Sequence, residues 1–278
     1  MKLKKSNQSE IFKIVTILLI LIGSFSIIGL YFYFYSAIFE SIANYRDIIY
    51  LALFIIIRIS ITIAMTFYAF INWFKQEKLN FSDIFNLFGL FFLGLVFGKA
   101  INLLYILTFY SINSNISLIL LKIRYLLIVL TAVPLISVGI NIVFRSKVSY
   151  NEILTQNHQY KINLIIIISI IISMSFFLFI SPNVQSTNLT IIIFHILSLI
   201  WISYTFYIAN KHKLLSEINS LIVSIAFFTD LLLYILAILF LSIIINFIQF
   251  TLIFTIFTEL IDLIIIIIIF IGFYKKSI

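Results

Sequence analysis

The chain alternates between long apolar blocks and short polar stretches. Most blocks exceed the roughly 18 to 20 residues that are needed to cross a hydrocarbon layer about 30 Å thick. Polarity does not alternate at every second residue, as it would in the strands of a membrane β-barrel. The pattern therefore predicts an all-α polytopic transmembrane helix bundle. Eight spans are expected, over residues 11–39, 48–74, 84–110, 117–144, 162–181, 188–210, 218–244 and 250–274.

The boundary between the last two spans carries the weakest signal, because residues 218–274 are apolar almost throughout. A continuous helix of this length would extend about 85 Å, which is far longer than one span. The polar side chains of Asn246 and Gln249 mark the most plausible interruption. We therefore expect two spans that meet near these residues.

Composition supports a membrane protein and narrows its chemistry. Of the 278 residues, 63% are hydrophobic and 10% are charged, whereas a soluble domain has roughly 45 to 50% apolar residues. We expect residues 1–278 to form a single transmembrane domain. The chain contains no cysteine, which removes disulfides, thiol catalysis and thiolate metal sites.

The distribution of lysine and arginine predicts the orientation, because short cytoplasmic loops are enriched in both residues. If the N-terminus is cytoplasmic, Arg46 alone falls in an outer loop, and both termini lie in the cytoplasm of a cell-membrane protein. The cytoplasmic set is Lys2, Lys4, Lys5, Lys13, Lys75, Lys78, Arg145, Lys147, Lys161, Lys211, Lys213, Lys275 and Lys276. Anionic lipids of the inner leaflet are the expected partner for the net charge of +8, which calls for no nucleic acid.

A repeated triplet suggests an internal duplication. Thr66-Phe67-Tyr68 near the end of the second span and Thr205-Phe206-Tyr207 near the end of the sixth are both followed by lysines and a Ser-acidic-Ile sequence. Halves at 1–145 and 146–278 would each hold four spans and form a parallel 4+4 repeat. The alternative is coincidence in a biased composition, since the gaps after the two triplets differ.

Ionisable residues at membrane depth are the main functional candidates. Each costs about 2.5 to 3.5 kcal/mol at a helix centre unless it is paired or hydrated. The first half carries the basic residues and the second half the acidic ones, so we expect neutralisation between halves. These residues are Arg58, Lys99, Lys122, Arg124, Asp230, Glu259 and Asp262. Arg58, Lys99, Asp230, Glu259 and Asp262 lie nearest the midplane and form the candidate polar interior or ligand site.

Helical periodicity adds secondary candidates, because residues three or four apart share a face. Tyr234 lies on the face of Asp230, and Asn102 lies on the face of Lys99. Lys122 and Arg124 point to different faces, so we expect one to turn inward and the other to extend towards the outer surface. His195 in the sixth span is interpreted as a hydrogen-bonded interior residue rather than a ligand or pH switch.

Small residues and a proline predict local packing. Gly94 and Gly98 form a small-xxx-small pair, which is typical of close helix approach. Pro134 in the fourth span, followed by Ser137 and Asn141, predicts a kink that frees backbone carbonyl groups.

Several chemistries lack the residues they need. No phosphate-binding Gly-rich loop, intramembrane protease motif or His-Glu-x-x-His zinc motif occurs, and Glu259 with Asp262 lacks a second acidic pair for a metal site. We expect no cofactor and no enzymatic activity.

Three functional hypotheses follow. The first is a non-enzymatic sensory or binding module whose polar interior takes a small ligand, a lipid or a partner membrane protein, with a homodimer as one form of partner. The second is a small secondary transporter with a midplane charged site, and the third, disfavoured, is an intramembrane enzyme. Buried ion pairs that only fix the helix order are the purely structural alternative.

Overall fold

The structure, a computed structural model, describes residues 2–45, 48–76, 79–80, 82–148, 156–244 and 248–275. Within these ranges, side chains are described except at 2–9, 147–148, 156–158, 160, 241–244 and 248–253. The described residues form nine helices and no strand. The helices are α1 (Lys2–Tyr33), α2 (Tyr35–Asn44), α3 (Ile48–Phe74), α4 (Ile84–Thr108), α5 (Ser114–Val148), α6 (Gln156–Ile180), α7 (Val184–Lys211), α8 (Ser220–Ile244) and α9 (Ile248–Tyr274).

Eight of these helices are long and apolar enough to cross a membrane, which confirms the expected number of spans. The candidate spans are Glu10–Tyr33, Ile48–Phe74, Ile84–Thr108, Ser114–Ser146, Lys161–Ile180, Val184–Lys211, Ser220–Phe240 and Phe254–Tyr274. The division of the last apolar block is also confirmed, because α8 ends at Ile244 and α9 begins at Ile248. Asn246 lies outside the described residues.

The first expected span is wrong at its outer end. The apolar block 11–39 is not one helix, because α1 ends at Tyr33 and the ten-residue α2 begins at Tyr35. Phe34 between them has φ −94° and ψ 13°, which departs from helical geometry. Its side chain packs with Leu104 and Leu120 in a buried apolar cluster. The break between α1 and α2 therefore coincides with tertiary packing of Phe34, and the hydropathy pattern does not reveal it.

Polar side chains cap the starts of three helices. A carboxylate oxygen of Asp83 accepts a hydrogen bond from the Phe85 backbone N–H at the start of α4, and the Asn183 side chain accepts one from Ser186 at the start of α7. Asn219 accepts one from Ile222 at the start of α8. Such caps satisfy backbone donors that have no partner within the helix. The capping residues Asp83, Asn183 and Asn219 therefore mark the points at which α4, α7 and α8 begin.

Two compact units divide the chain within α5, between Pro134 and Leu135. In unit 1, residues Met1–Pro134, α3 packs along α4, and α4 also contacts α1 and α2. Gly23 of α1 lies against the ring of Phe97, and the Tyr31 hydroxyl donates to the Ala100 carbonyl at 2.8 Å. These two contacts attach α1 to α4.

In unit 2, residues Leu135–Ile278, α7 packs against α6 and α8, and α8 packs against α9. The Asn163 side-chain amide on α6 donates to the Ser137 hydroxyl at 3.0 Å and to the Asn141 side chain at 3.1 Å, both on α5. The polar residues one and two turns after Pro134 therefore bind another helix. The expected kink at Pro134 stays a prediction.

One face of α3 is buried in unit 1. Arg58, Thr62, Met65 and Ala69 on one face of α3 are all buried. Gly94, from the small-xxx-small pair, lies against the Thr131 backbone of α5, so that a Cβ there would be 3.0 Å from the Thr131 Cα. Among the residues that the structure describes, no atom beyond the neighbouring backbone of α4 lies within 4 Å of the equivalent position on Gly98. Only Gly94 therefore makes the close approach that the pair predicted.

The repeated triplets differ in the exposure of their phenylalanine, although Thr66 and Thr205 are both buried. Phe67 is 58% exposed on α3, whereas Phe206 is fully buried on α7. One residue of offset rotates a helical position by about 100°, which is enough to move a side chain from the surface to the interior. The parallel 4+4 repeat stays a prediction, and the triplets alone do not align the two helices.

Candidate functional site

A reciprocal pair of hydrogen bonds sets the alignment of α7 and α8. The Ser203 hydroxyl donates to the Ser224 carbonyl oxygen at 3.1 Å, and the Ser224 hydroxyl donates to the Ser203 carbonyl oxygen at 2.8 Å. Both serines are buried. The helices are antiparallel, so residues before Ser203 lie level with residues after Ser224. His195 is eight positions before Ser203, about 12 Å along the axis, and therefore lies level with Leu232.

A second close approach aligns α8 with α9. The Asn219 backbone N–H donates to the Gly272 carbonyl oxygen at 2.7 Å. A Cβ on Gly272 would lie 3.0 Å or less from atoms of Ile222 and Val223, so the absence of a side chain lets the two helices meet. Asp262 is ten positions before Gly272. It therefore lies level with Thr229 of α8, which is ten positions after Asn219.

Together these alignments bring five side chains of unit 2 within about 8 Å of one another along the helix axes, and we call this group the acidic layer. Asp230 lies level with Ile261, next to Asp262, and Tyr234 lies level with Phe257, two positions before Glu259. The His195 ring contacts the Tyr234 ring edge to face, with centroids 4.6 Å apart and an interplanar angle of 72°. Three consecutive helices thus supply the acidic layer: His195 from α7, Asp230 and Tyr234 from α8, and Glu259 and Asp262 from α9.

Burial within the acidic layer is uneven. Glu259 is 8% exposed, while Asp230, Tyr234 and Asp262 are half-buried. The Nδ1 atom of His195 is buried and makes no hydrogen bond to any residue that the structure describes. Asp262 interacts electrostatically with the His195 ring. The His195 side chain is half-buried, and the hydrogen bond expected of it is absent at Nδ1 in the described part of the chain.

Unit 1 contains a basic counterpart, which we call the basic layer. Gly89 of α4 lies against the Phe70 ring of α3 and sets the alignment of these two helices. Arg58 is twelve positions before Phe70, so it lies level with the residue twelve positions after Gly89. That residue lies between Lys99 and Asn102. Arg58 and Asn102 are each 5% exposed, and Lys99 is half-buried. Two cations and an amide thus share one level of unit 1.

Lys122 and Arg124 on α5 are both half-buried. The Arg124 guanidinium lies 5.5 Å from the centroid of the Tyr125 ring, within the range of a cation–π contact. The expected neutralisation of the cations of the first half by the carboxylates of the second half stays a prediction.

The residues that create the alignments were not singled out by sequence reasoning. Ser203, Ser224 and Gly272 are small residues in apolar helices, where small side chains and hydroxyls promote close approach. The sequence contains many serines with the same local context. Only the identity of the facing helix distinguishes these three.

A multidentate metal site is not formed in the part of the chain that the structure describes. No three histidine, aspartate or glutamate side chains there lie close enough together to hold a metal ion.

Comparison of this chain with protein-family models, with curated proteins and with solved structures finds no match. The functional argument therefore depends on the acidic and basic layers themselves.

Proposed function

We propose that this chain is a non-enzymatic multi-pass membrane protein that binds a small organic cation in the acidic layer of unit 2. The observation that supports the proposal is the contact of Asn219 with Gly272, which aligns α8 and α9 so that Asp230, Glu259 and Asp262 lie at similar heights on two neighbouring helices. Carboxylates in an apolar surrounding attract a cation far more strongly than they do in water. Such residues at membrane depth mark binding sites more often than surface charges do.

The aromatic ring of Tyr234 supports an organic cation over a hydrated inorganic ion. Its ring lies in the same layer and contacts His195. The face of an aromatic ring attracts ammonium and guanidinium groups, and quaternary ammonium ligands are commonly bound by such rings together with carboxylates.

The proposed orientation places both termini in the cytoplasm of a cell-membrane protein, next to anionic lipid. Lys75, Lys211 and Lys275 at the ends of α3, α7 and α9 support this, because basic residues accumulate on the cytoplasmic side. The acidic layer then lies between about 15 and 24 Å from the cytoplasmic helix ends, at 1.5 Å per residue.

Thermal unfolding of the full chain in nanodiscs tests the proposal, with tetramethylammonium chloride as the probe and sodium chloride at equal ionic strength as the reference. A ligand that binds only the folded state stabilises it by about 2.7 kcal/mol at one hundred times its Kd. We expect a rise in the midpoint with tetramethylammonium in the wild type, and loss of that rise in Asp262→Asn and Glu259→Gln.

Glu217→Gln is the matched control, because it removes one carboxylate from an exposed loop position. It should respond to the probe as the wild type does. An equal response in all four proteins, or no response in the wild type, would overturn the proposal. Accumulation of labelled tetramethylammonium inside proteoliposomes would instead identify the protein as a transporter that uses the same layer.

A further inference from the structure

At the end of unit 1 where α3 ends, a lysine lies within the apolar part of α1. Lys13 is three residues after the start of the candidate span Glu10–Tyr33, and its side chain is half-buried. Its Nζ atom lies 5.9 Å from the centroid of the Phe74 ring, the last residue of α3. This distance is within the range of a cation–π contact. The Lys13 ammonium group therefore lies beside the end of α3.

Buried aromatic side chains set the position of this contact. Phe12, next to Lys13, and Phe74 both pack on a buried cluster that includes Phe70 and Trp73. The Trp73 side chain is fully buried, and its ring centroid lies 5.3 Å from that of Phe74. Because both sides of the contact are anchored in the same cluster, α1 and α3 hold the ammonium group and the ring at a defined separation.

Positive charge exceeds negative charge at this end of unit 1. Lys75 is the first residue after α3, and its side chain is exposed. Residues 1–13 and 75–83 together contain six lysines and three acidic residues. The Asp83 carboxylate accepts a hydrogen bond from the start of α4, and Glu10 is exposed on α1. An anionic group in the surroundings is therefore attracted to this end.

Exposed apolar side chains continue along both helices from the two lysines into the membrane. Ile17 lies one turn after Lys13 on α1, and Ile71 and Phe67 lie about one and two turns before Phe74 on α3. Residues at such spacings share a helix face. All three side chains are exposed. A lipid whose acyl chains cover them has its headgroup at the end where the lysines lie.

We propose that Lys13 and Lys75 bind the phosphate of an anionic glycerophospholipid, whose acyl chains lie against Ile17, Phe67 and Ile71. These five residues form what we call the lipid site. Lysine suits this role because its aliphatic stem packs on apolar surface while its ammonium group extends to the headgroups. A zwitterionic lipid such as phosphatidylcholine carries its own ammonium group and is therefore bound less tightly. The lipid site lies within unit 1 and does not involve the acidic layer.

Quenching of tryptophan emission by brominated lipids tests the lipid site in the full chain. The chain contains two tryptophans, so Trp201→Phe leaves Trp73, which lies beside Phe74, as the single emitter. Bromine atoms on acyl chains quench this emission only at short range. We expect brominated phosphatidylglycerol to quench Trp73 more strongly than brominated phosphatidylcholine does, when either replaces the same fraction of phosphatidylcholine in nanodiscs.

Three variants in the Trp201→Phe background separate the lipid site from a general attraction to basic residues. Lys13→Gln and Lys75→Gln each remove one ammonium group, so the preference for the anionic lipid should fall about fivefold in each. Lys211→Gln is the matched control, because it removes an exposed lysine from the end of α7 in unit 2. It should retain the full preference.

Equal quenching by the two brominated lipids in Trp201→Phe would overturn the proposal. So would a preference that stays unchanged in Lys13→Gln or in Lys75→Gln, and so would one that Lys211→Gln lowers to the same extent. If Lys13→Gln does not fold, the comparison of Lys75→Gln with Lys211→Gln still decides.

Discussion

Ser203 and Ser224 each donate a hydroxyl hydrogen bond to the backbone carbonyl oxygen of the other, at 3.1 and 2.8 Å. The acceptors are carbonyl groups of regular helices, so the two bonds join α7 and α8 without disturbing either ladder. The pair fixes which residues of the two helices lie opposite each other, and it therefore determines the height of His195 relative to Tyr234.

Replacement of either serine should weaken the hairpin of α7 and α8. Interhelical hydrogen bonds in membranes contribute about 0.6 kcal/mol each on average, with a maximum near 1.7. We expect Ser203→Ala and Ser224→Ala each to lower the free energy of unfolding in detergent by an amount in this range. Ser169→Ala on α6, where the serine is exposed, is the control and should change stability little. Equal effects at all three positions would contradict the assignment.

Gly94 and Gly98 provide a matched pair for testing the contact of α4 with α5. Gly94→Ala would place a Cβ 3.0 Å from the Thr131 Cα, a backbone atom that cannot move aside. Forced separation of packed helices typically costs 1 to 3 kcal/mol, and we expect a loss of about that size. The methyl group of Gly98→Ala would meet no other helix within 4 Å in the described part of the chain, and the substitution should be neutral or slightly stabilising because alanine favours helix. Thermal unfolding of both variants measures the contrast, and a larger loss at Gly98 would refute the packing.

The number of spans could be predicted from the sequence because crossing a membrane requires a minimum length of apolar helix. The division of the last apolar block followed from the same length argument, and the ends of α8 and α9 agree with it. The break at Phe34 could not be predicted in this way. Phenylalanine is compatible with a helix, and the break coincides with packing against Leu104 and Leu120, which are distant in sequence.

The sequence alone predicts how far along its helix each candidate residue lies. It does not predict which residues of neighbouring helices lie at the same height. Counting residues places Asp230 and Asp262 near the middle of their helices, and helical periodicity places Tyr234 on the face of Asp230. Which residues share a level depends on where Ser203 and Gly272 contact their neighbours, and hydropathy does not report such contacts. The triplets show the same limit, since Phe67 and Phe206 have the same local sequence but opposite exposure.

Asp83 should make stability depend on pH in a defined direction. Burial is the main cause that raises its pKa above the ordinary 3.8, against lowering by hydrogen bonds from the Phe85 backbone and the Gln76 side chain. The folded state therefore binds this proton more tightly than the unfolded chain does. The contribution of Asp83 to stability is most favourable below about 3.8 and falls as the pH rises through the raised folded pKa.

Asp83→Asn tests this sign, because asparagine keeps the helix cap and removes the charge. The difference in unfolding free energy between Asp83→Asn and the wild type should shift in favour of asparagine as the pH rises through this window. Asp83→Ala, which loses the cap, should be less stable than Asp83→Asn by about 1 kcal/mol. A difference that shifts in favour of aspartate with rising pH would contradict the burial of this carboxyl.

The natural absence of cysteine allows orientation to be tested with single substitutions. Lys211→Cys lies at an exposed position at the end of α7, and Asn115→Cys lies at an exposed position at the start of α5. With both termini cytoplasmic, a membrane-impermeant maleimide added to intact cells should label Asn115→Cys only. In inverted vesicles it should label Lys211→Cys only. The reverse pattern would show the opposite orientation, and the unsubstituted chain controls for background.

The packing of α1 depends more on the surrounding lipid than the packing of α3 against α4 does. Side chains around α1, such as Ile22 and Phe25, are 64% and 69% exposed. The helix is held by contacts of Gly23 and Tyr31 with α4 and by a few apolar side chains, such as Phe12, that pack on a buried cluster. Acyl chains must therefore solvate most of its circumference. The attachment of α1 thus depends on the thickness and fluidity of the lipid annulus, and harsh delipidation would release it before the hairpin of α3 and α4.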